Sequence, residues 1–188
     1  GIHANGEKVL SGIEKIDREV IVAGGKAGRN NDEQQTFIFT ADEISNRGIV
    51  GVSLNNKDLT VNTGYGFGWQ QIGKTMTVTK AEGNRLYELD NENIDEVYKR
   101  YLGEEIAANL PQSAEMEFPI VLNRDGVLIV RGAISKENNS LAFTGEIHEG
   151  EEVKFGYGNP KMILQNGTND LNKLTKQSLD GVYIYSCV

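Results

Sequence analysis

The feature that most constrains the fold is a stretch at 63–73 (TGYGFGWQQIG) in which glycines alternate with aromatic residues. It contains four glycines and three aromatic rings, among them Trp69, the only tryptophan of the chain. Because glycine has no Cβ atom, it allows positive φ angles and the close approach of another group. The stretch therefore favours one of two structures, tight packing against a neighbouring strand or contact with a small ligand.

Length and charge limit the classes of protein to which this chain can belong. Its 188 residues suffice for one domain, or for two small lobes that share a core. The hydrophobic fraction of 38% and the charged fraction of 24% are typical of soluble globular proteins. A net charge of −8 repels phosphate backbones and anionic lipids, so we expect neither nucleic acid nor membrane as a partner.

Cysteine and histidine are scarce. Cys187 is the only cysteine, which excludes an intrachain disulfide and is typical of a reducing compartment. His3 and His148 belong to no His/Cys cluster, so the sequence predicts no transition-metal site and no cofactor. No apolar run reaches membrane-spanning length, and the N-terminus lacks a signal-peptide pattern. These observations predict a cytoplasmic location.

Hydrophobic periodicity predicts helices at 5–17, at 94–110 and from 159 to about 179, the first two capped by Asn5 and Asn93. Short β-branched or alternating runs predict strands between polar turns, at 19–23, 35–40, 48–54, 59–64, 74–80, 85–89, 118–122, 127–133, 141–144, 153–156 and 182–187. This pattern predicts an α+β protein with mostly antiparallel β-sheets and two to three packed helices. A faint similarity between 5–25 and 160–187 suggests two lobes related by an internal repeat.

The glycines at 24–28 follow a predicted strand, as they do in a phosphate-binding loop. Such a loop must open directly into a helix whose N-terminus holds the phosphate. Here the polar, aperiodic run 29–35 follows instead, and then another predicted strand. We therefore reject a nucleotide loop and retain Gly24 and Gly25 as a strand end that can face a ligand.

Several motifs in one order are similar to those of a single family, the FIST sensory domain (F-box and intracellular signal transduction). They cover almost the whole chain, at 1–10, 23–28, 64–73, 77–84, 87–90, 97–103, 130–132, 144–150 and 185–187. The family's module is longer, so the resemblance implies that the chain starts inside its N-terminal half and stops inside its C-terminal half. It places residues 1–110 in the first half and 111–188 in the second.

The resemblance implies that this is a sensory domain of a bacterial signal transduction protein and not an enzyme. Its ligand would be an amino acid or a similar small metabolite, and its partner a signalling output domain or partner protein. One departure affects the site. The family often carries a polar pair with a histidine before the Gly-Trp, but this chain has Gly66 and Phe67, and Gln71 replaces a frequent proline. A ligand contact through that histidine therefore cannot be transferred.

The predicted ligand site combines residues of the matched motifs in a cleft between sheet layers. Arg131 would bind a carboxylate, because a guanidinium binds it bidentately, although an ion pair with an acidic residue or a solvated outer face also explains this arginine. Trp69 would form a wall of the cleft or a ring of the core. The full set of predicted ligand contacts is Gly24, Gly25, Arg29, Phe67, Gly68, Trp69, Asn84, Arg131, Ser186 and Cys187.

Two other functions compete with ligand sensing. A thiol or hydrolase enzyme centred on Ser186 and Cys187 would need a base within hydrogen-bond reach. A scaffold or interaction domain would need no ligand, and it is favoured if no polar cleft lies near Trp69 and Arg131.

Overall fold

The computed structural model describes residues 5–28, 35–65, 68–174 and 179–185. The chain forms two compact units. Unit 1 comprises Gly1–Gly64 and Leu174–Val188, and unit 2 comprises Tyr65–Lys173.

Unit 1 contains one helix and one short hairpin among its described residues. The helix α1 spans Gly6–Glu14, and the strands β1 (Ile38–Phe39) and β2 (Ile44–Ser45) pair antiparallel. Asn5 caps α1 as predicted, because its Oδ1 accepts a hydrogen bond of 3.1 Å from the backbone N–H of Lys8. The predicted first helix is therefore confirmed.

Four of the predicted strands are wrong in the described part of unit 1. The segments 19–23, 48–54, 59–64 and 182–185 have no strand pairing there. Their apolar side chains, such as Val20, Val52 and Ile184, are exposed. A β-branched run forms a strand only where a partner strand supplies hydrogen bonds and a packing surface, and composition alone does not specify that partner. The remaining part of the predicted last strand, 186–187, lies outside the described residues.

Unit 2 is built on a curled antiparallel sheet, and the α+β class predicted from the sequence is confirmed. The order of its strands is β7-β6-β10-β3-β4-β9-β8, with β5 paired to β4. Its two outermost strands, β7 and β8, are separated in the chain only by Gly132. The strands are β3 (Trp69–Glu82), β4 (Arg85–Leu89), β5 (Glu92–Asn93), β6 (Ile120–Arg124), β7 (Val127–Arg131), β8 (Ala133–Glu137), β9 (Ser140–Phe143) and β10 (Glu152–Gly158).

Four further helices are described, so the count exceeds the two to three predicted. They are α2 (Ile94–Leu102), α3 (Glu104–Ala108), α4 (Gln112–Met116) and α5 (Pro160–Leu174). Gly103, with φ of 95°, separates α2 from α3 within the stretch that the sequence predicted as one helix. Both α3 and α4 have five residues, too few to give a helical period in the sequence.

The core of unit 2 lies between the sheet and α2. Tyr98 of α2 is fully buried, and its ring meets that of Phe155 edge-on with centroids 4.9 Å apart. Its hydroxyl donates to the carbonyl oxygen of Phe118 at 2.8 Å, and burial raises the pKa of this phenol well above its usual range. Met76 and Val78 both point into this core, as the alternation in their strand predicted.

Gly73, the last glycine of the glycine–aromatic stretch, forms a bulge in β3. Ile72 pairs with Phe155 and Met76 pairs with Val153, so three residues of β3 lie opposite one residue of β10. Gly73 has φ of 75°, a value that glycine adopts without steric cost. This glycine therefore allows the shift in register between β3 and β10.

Candidate functional site

Trp69 begins β3 and packs against glycine. It pairs with Gly158 of β10, where a Cβ atom would lie 3.0 Å from the Cζ3 atom of the indole. A Cβ atom on Gly68 would overlap the side chain of Ile163 in α5. Both glycines therefore allow large side chains to lie close to the backbone. Phe67 lies outside the described residues.

Arg131 ends β7 and lies against the segment that precedes β10. Its Nε donates to the carbonyl oxygen of Glu146 at 3.3 Å. Its guanidinium lies over Gly145, where a Cβ atom would be 2.6 Å from the Cζ of Arg131. The arginine is thus half-buried and takes part in holding this segment.

Asn84 holds the same segment at its other end. Its Nδ2 donates to the carbonyl oxygen of Phe143 at 2.7 Å, and its own carbonyl accepts from the N–H of Phe143 at 2.8 Å. Gly24 and Gly25 belong to unit 1, where a Cβ atom on Gly25 would lie 3.7 Å from the ring of Tyr185. Arg29, Ser186 and Cys187, and with them the centre of the enzyme alternative, lie outside the described residues.

The structure brings Arg131 and Asn84 to one segment but does not bring Trp69 to it. Arg131 of β7 pairs with Ile120 of β6, and Ile120 pairs with Phe155 of β10. Phe155 pairs in turn with Ile72 of β3, the strand that Trp69 begins. The strands of Arg131 and Trp69 are therefore three spacings apart, about 14 Å. Because Trp69 lies three residues before Ile72 in regular pairing, its side chain points to the other face of the sheet.

A cluster around Arg124 was missed by the sequence reasoning. The Nε and Nη2 of Arg124 bind the two carboxylate oxygens of Glu151 at 2.6 and 3.2 Å, and Nη2 also donates to the carbonyl of Glu146 at 2.8 Å. Burial acts to raise the pKa of Glu151, but the bonds from Arg124 and from the N–H of His148 outweigh it and hold that pKa below its usual range. We call the segment 144–151 the strap, since these bonds fix it between β9 and β10.

An open cleft of about 600 Å³ lies on unit 2, where β4 and β5 approach the turn between β8 and β9. Side chains of both charges line it. The sequence does not predict this cleft, because its walls are far apart in the chain and each has the composition of an ordinary exposed surface. Its lining residues are Lys80, Arg85, Tyr87, Glu88, Asn93, Glu137, Asn138, Asn139 and Ser140.

The cations of the cleft differ in how firmly they are held. Arg85 donates from Nη1 to the Oγ of Ser140 at 2.9 Å, and its Nη2 lies 3.2 Å from a carboxylate oxygen of Glu137. Lys80 lies 4.0 Å from the carboxylate of Glu88 and 5.6 Å from the ring centroid of Tyr87. The cleft therefore offers one fixed guanidinium, one more exposed ammonium group and two carboxylates.

Unit 2 thus combines an α+β fold with a polar, open cleft on its surface. A model of the FIST N domain matches residues 1–92, and a model of the FIST C domain matches residues 96–188. The chain belongs to the FIST domain family, whose members are sensory domains of signal transduction proteins. The predicted boundary between residues 110 and 111 lies within unit 2, and it stays a prediction.

Neither the curated proteins nor the solved structures include a match to the chain. Among the described residues, none of the helices combines the length and the apolar character needed to cross a membrane.

Proposed function

We propose that this chain is a small-ligand sensory domain of a prokaryotic signal transduction protein. It binds an amino acid or a similar small metabolite and passes the signal to an output domain or partner protein. The observation that carries the proposal is the open cleft of unit 2, in which Arg85 and Lys80 lie among the carboxylates of Glu88 and Glu137. Family membership supports the sensory role.

The chemistry of the cleft suits a zwitterion. A guanidinium and an ammonium group attract a carboxylate, and two carboxylates attract an ammonium group. The side-chain amides of Asn138 and Asn139 add hydrogen-bond donors and acceptors at the same surface. An amino acid carries both of the charges that this lining complements.

Signalling follows if the ligand binds one arrangement of the cleft more tightly than another. Glu137, the last residue of β8 before the turn to β9, lines the cleft, and the neighbouring Lys136 pairs with Asp95 of α2 at 2.7 Å. A ligand that moves this turn would therefore change the contact that holds the start of α2. The equilibrium between the two arrangements would then shift toward the one that binds the ligand more tightly, by an amount set by the ratio of the two affinities.

A thermal-shift screen of the whole chain against the twenty amino acids and small carboxylates tests the proposal. Binding to the folded state raises the melting temperature, and a ligand at a hundred times its Kd contributes about 2.7 kcal/mol. We expect one chemical class to raise the melting temperature. A panel without any shift would contradict ligand sensing and favour a scaffold domain.

Arg131→Ala, run in the same screen, tests the site predicted from the sequence. If the ligand binds the cleft of unit 2, the shift persists in this variant, because Arg131 is not among the residues that line the cleft. A shift that disappears in a folded Arg131→Ala protein would place the carboxylate contact at Arg131 instead.

A further inference from the structure

Arg85 is held in a fixed position at the cleft by a buried hydroxyl. Its side chain is 22% exposed, and its Nη1 donates to the Oγ of Ser140, a residue that is 4% exposed. The hydroxyl of Ser140 in turn donates to the carbonyl oxygen of Glu137 at 2.7 Å. The bond therefore fixes the guanidinium relative to the turn between β8 and β9.

The second partner of Arg85 is held much less firmly. The carboxylate of Glu137 lies 3.2 Å from Nη2, but this side chain is 72% exposed. An exposed ion pair of this kind is weak, since water and salt screen it and a flexible side chain must be ordered. The Nη2 group of a fixed guanidinium is thus paired with a carboxylate that is easily displaced.

Building on the sensory function proposed above, we propose that Arg85 is the group that binds the carboxylate of the ligand, and that Glu137 occupies it when no ligand is bound. The carboxylate of the ligand replaces that of Glu137 on Nη2, and Glu137 turns into solvent. The cleft then recognises molecules with a free carboxylate, and Glu137 sets the concentration at which they bind.

Arg85 is better suited to this role than Lys80. A guanidinium presents its N–H groups in a rigid fork that matches a carboxylate, whereas an ammonium group acts as a mobile point charge. The side chain of Lys80 is 59% exposed, and its nearest carboxylate, that of Glu88, is 4.0 Å away. Lys80 therefore contributes long-range attraction, and Arg85 supplies the specific contact.

Because Glu137 competes with the ligand for Arg85, it lowers the apparent affinity for the ligand by an amount that can be measured. An exposed ion pair of typical strength weakens the apparent affinity of a competing carboxylate about two- to sixfold. Glu137→Ala removes the competing carboxylate and leaves the backbone carbonyl that binds Ser140. This variant should therefore bind carboxylate ligands about two- to sixfold more tightly than the natural chain.

Calorimetric titration of the whole chain tests this inference with L-alanine, L-glutamate and L-lysine as probes, each compared with its α-carboxamide. We expect binding of at least one free amino acid, a large loss of affinity for its amide, tighter binding by Glu137→Ala and weaker binding by Arg85→Lys. Glu104→Ala is the matched control, since Glu104 also forms an exposed ion pair, with Lys99 at 2.9 Å, and should leave the affinity unchanged.

The outcomes separate this inference from the proposed function. If an amino acid binds but neither Glu137→Ala nor Arg85→Lys changes its affinity, or if the amide binds equally well, the role of Arg85 is overturned and ligand sensing stands. If no probe and no member of the thermal-shift panel binds the natural chain, both fail. Should Arg85→Lys not fold, Glu137→Ala still decides, because the change lies on an exposed side chain.

Discussion

The positive φ of Gly73 is a constraint set by a single residue. This glycine adopts φ of 75° at the point where three residues of β3 lie opposite one residue of β10. The next residue, Lys74, leaves the ladder and pairs with Asp90 at 2.6 Å. Asp90 also accepts from the N–H of Thr77 at 2.8 Å, so the bulge is tied to the turn between β4 and β5.

Gly73→Ala should lower the free energy of unfolding by about 1–2 kcal/mol, because a Cβ atom is strained at positive φ. There is open space around this position, so the cost would arise from the backbone and not from a clash. Urea unfolding followed by the fluorescence of Trp69 measures it. Gly167→Ala in α5, also with open space but without a positive φ, is the control and should be neutral or stabilising. Equal effects of the two changes would contradict the account of the bulge.

At the scale of the elements, the strap (144–151) is held partly by charge. Ile147 buries its side chain in the core, while Arg124 and Glu151 form a paired contact beside it. The folded-state pKa of Glu151 is lowered, so its contribution to stability is present above the usual pKa near 4.5 and is lost as the pH falls through the folded value. The strap should therefore loosen in acid.

Glu151→Gln should lower the free energy of unfolding at neutral pH by about 1.5–3 kcal/mol, the range for hydrogen bonds to charged groups. The difference from the natural chain should shrink as the pH falls from about 4.5 through the lowered folded-state pKa, since Glu151 is protonated first in the unfolded chain and then in the folded one. Urea unfolding across the acidic range measures both values. Glu117→Gln, at an exposed acid, is the matched control. A difference that is constant with pH would show that the charge of Glu151 does not hold the strap.

Elements with local causes were predictable from the sequence, and elements with distant partners were not. Asn93 accepts from the N–H of Asp95 at 3.0 Å and caps α2 as predicted, because capping involves only neighbouring residues. The turn at Asp125 and Gly126, with φ of 52° and 83°, likewise follows its Asp-Gly sequence. The strands predicted at 19–23 and 48–54 failed because pairing depends on residues far away in the chain.

The same limit applies to the candidate site. Arg131 and Asn84 were singled out by motif, and the structure shows both bound to the segment 143–146, which no local pattern predicts. The cleft combines Arg85 with Ser140, 55 positions away in the chain. Only the fold of unit 2, in which β4 pairs with β9, brings these two residues together.

At the scale of the whole molecule, a chain with a net charge of −8 places two cations and two carboxylates in one cleft. Lys80 and Arg85 lie there beside Glu88 and Glu137, so both signs of charge are present at short range. A small zwitterion is attracted to such a surface, whereas a polyanion is repelled by the chain as a whole.

The most direct test is a two-dimensional ¹H–¹⁵N NMR titration of the whole chain with the amino acid that gives the largest thermal shift. If the ligand binds in the cleft, we expect the shifted amides to concentrate at 85–88 and 137–140, the two walls of the cleft. Shifts concentrated instead around Trp69 or Arg131, with those walls unchanged, would contradict binding in the cleft.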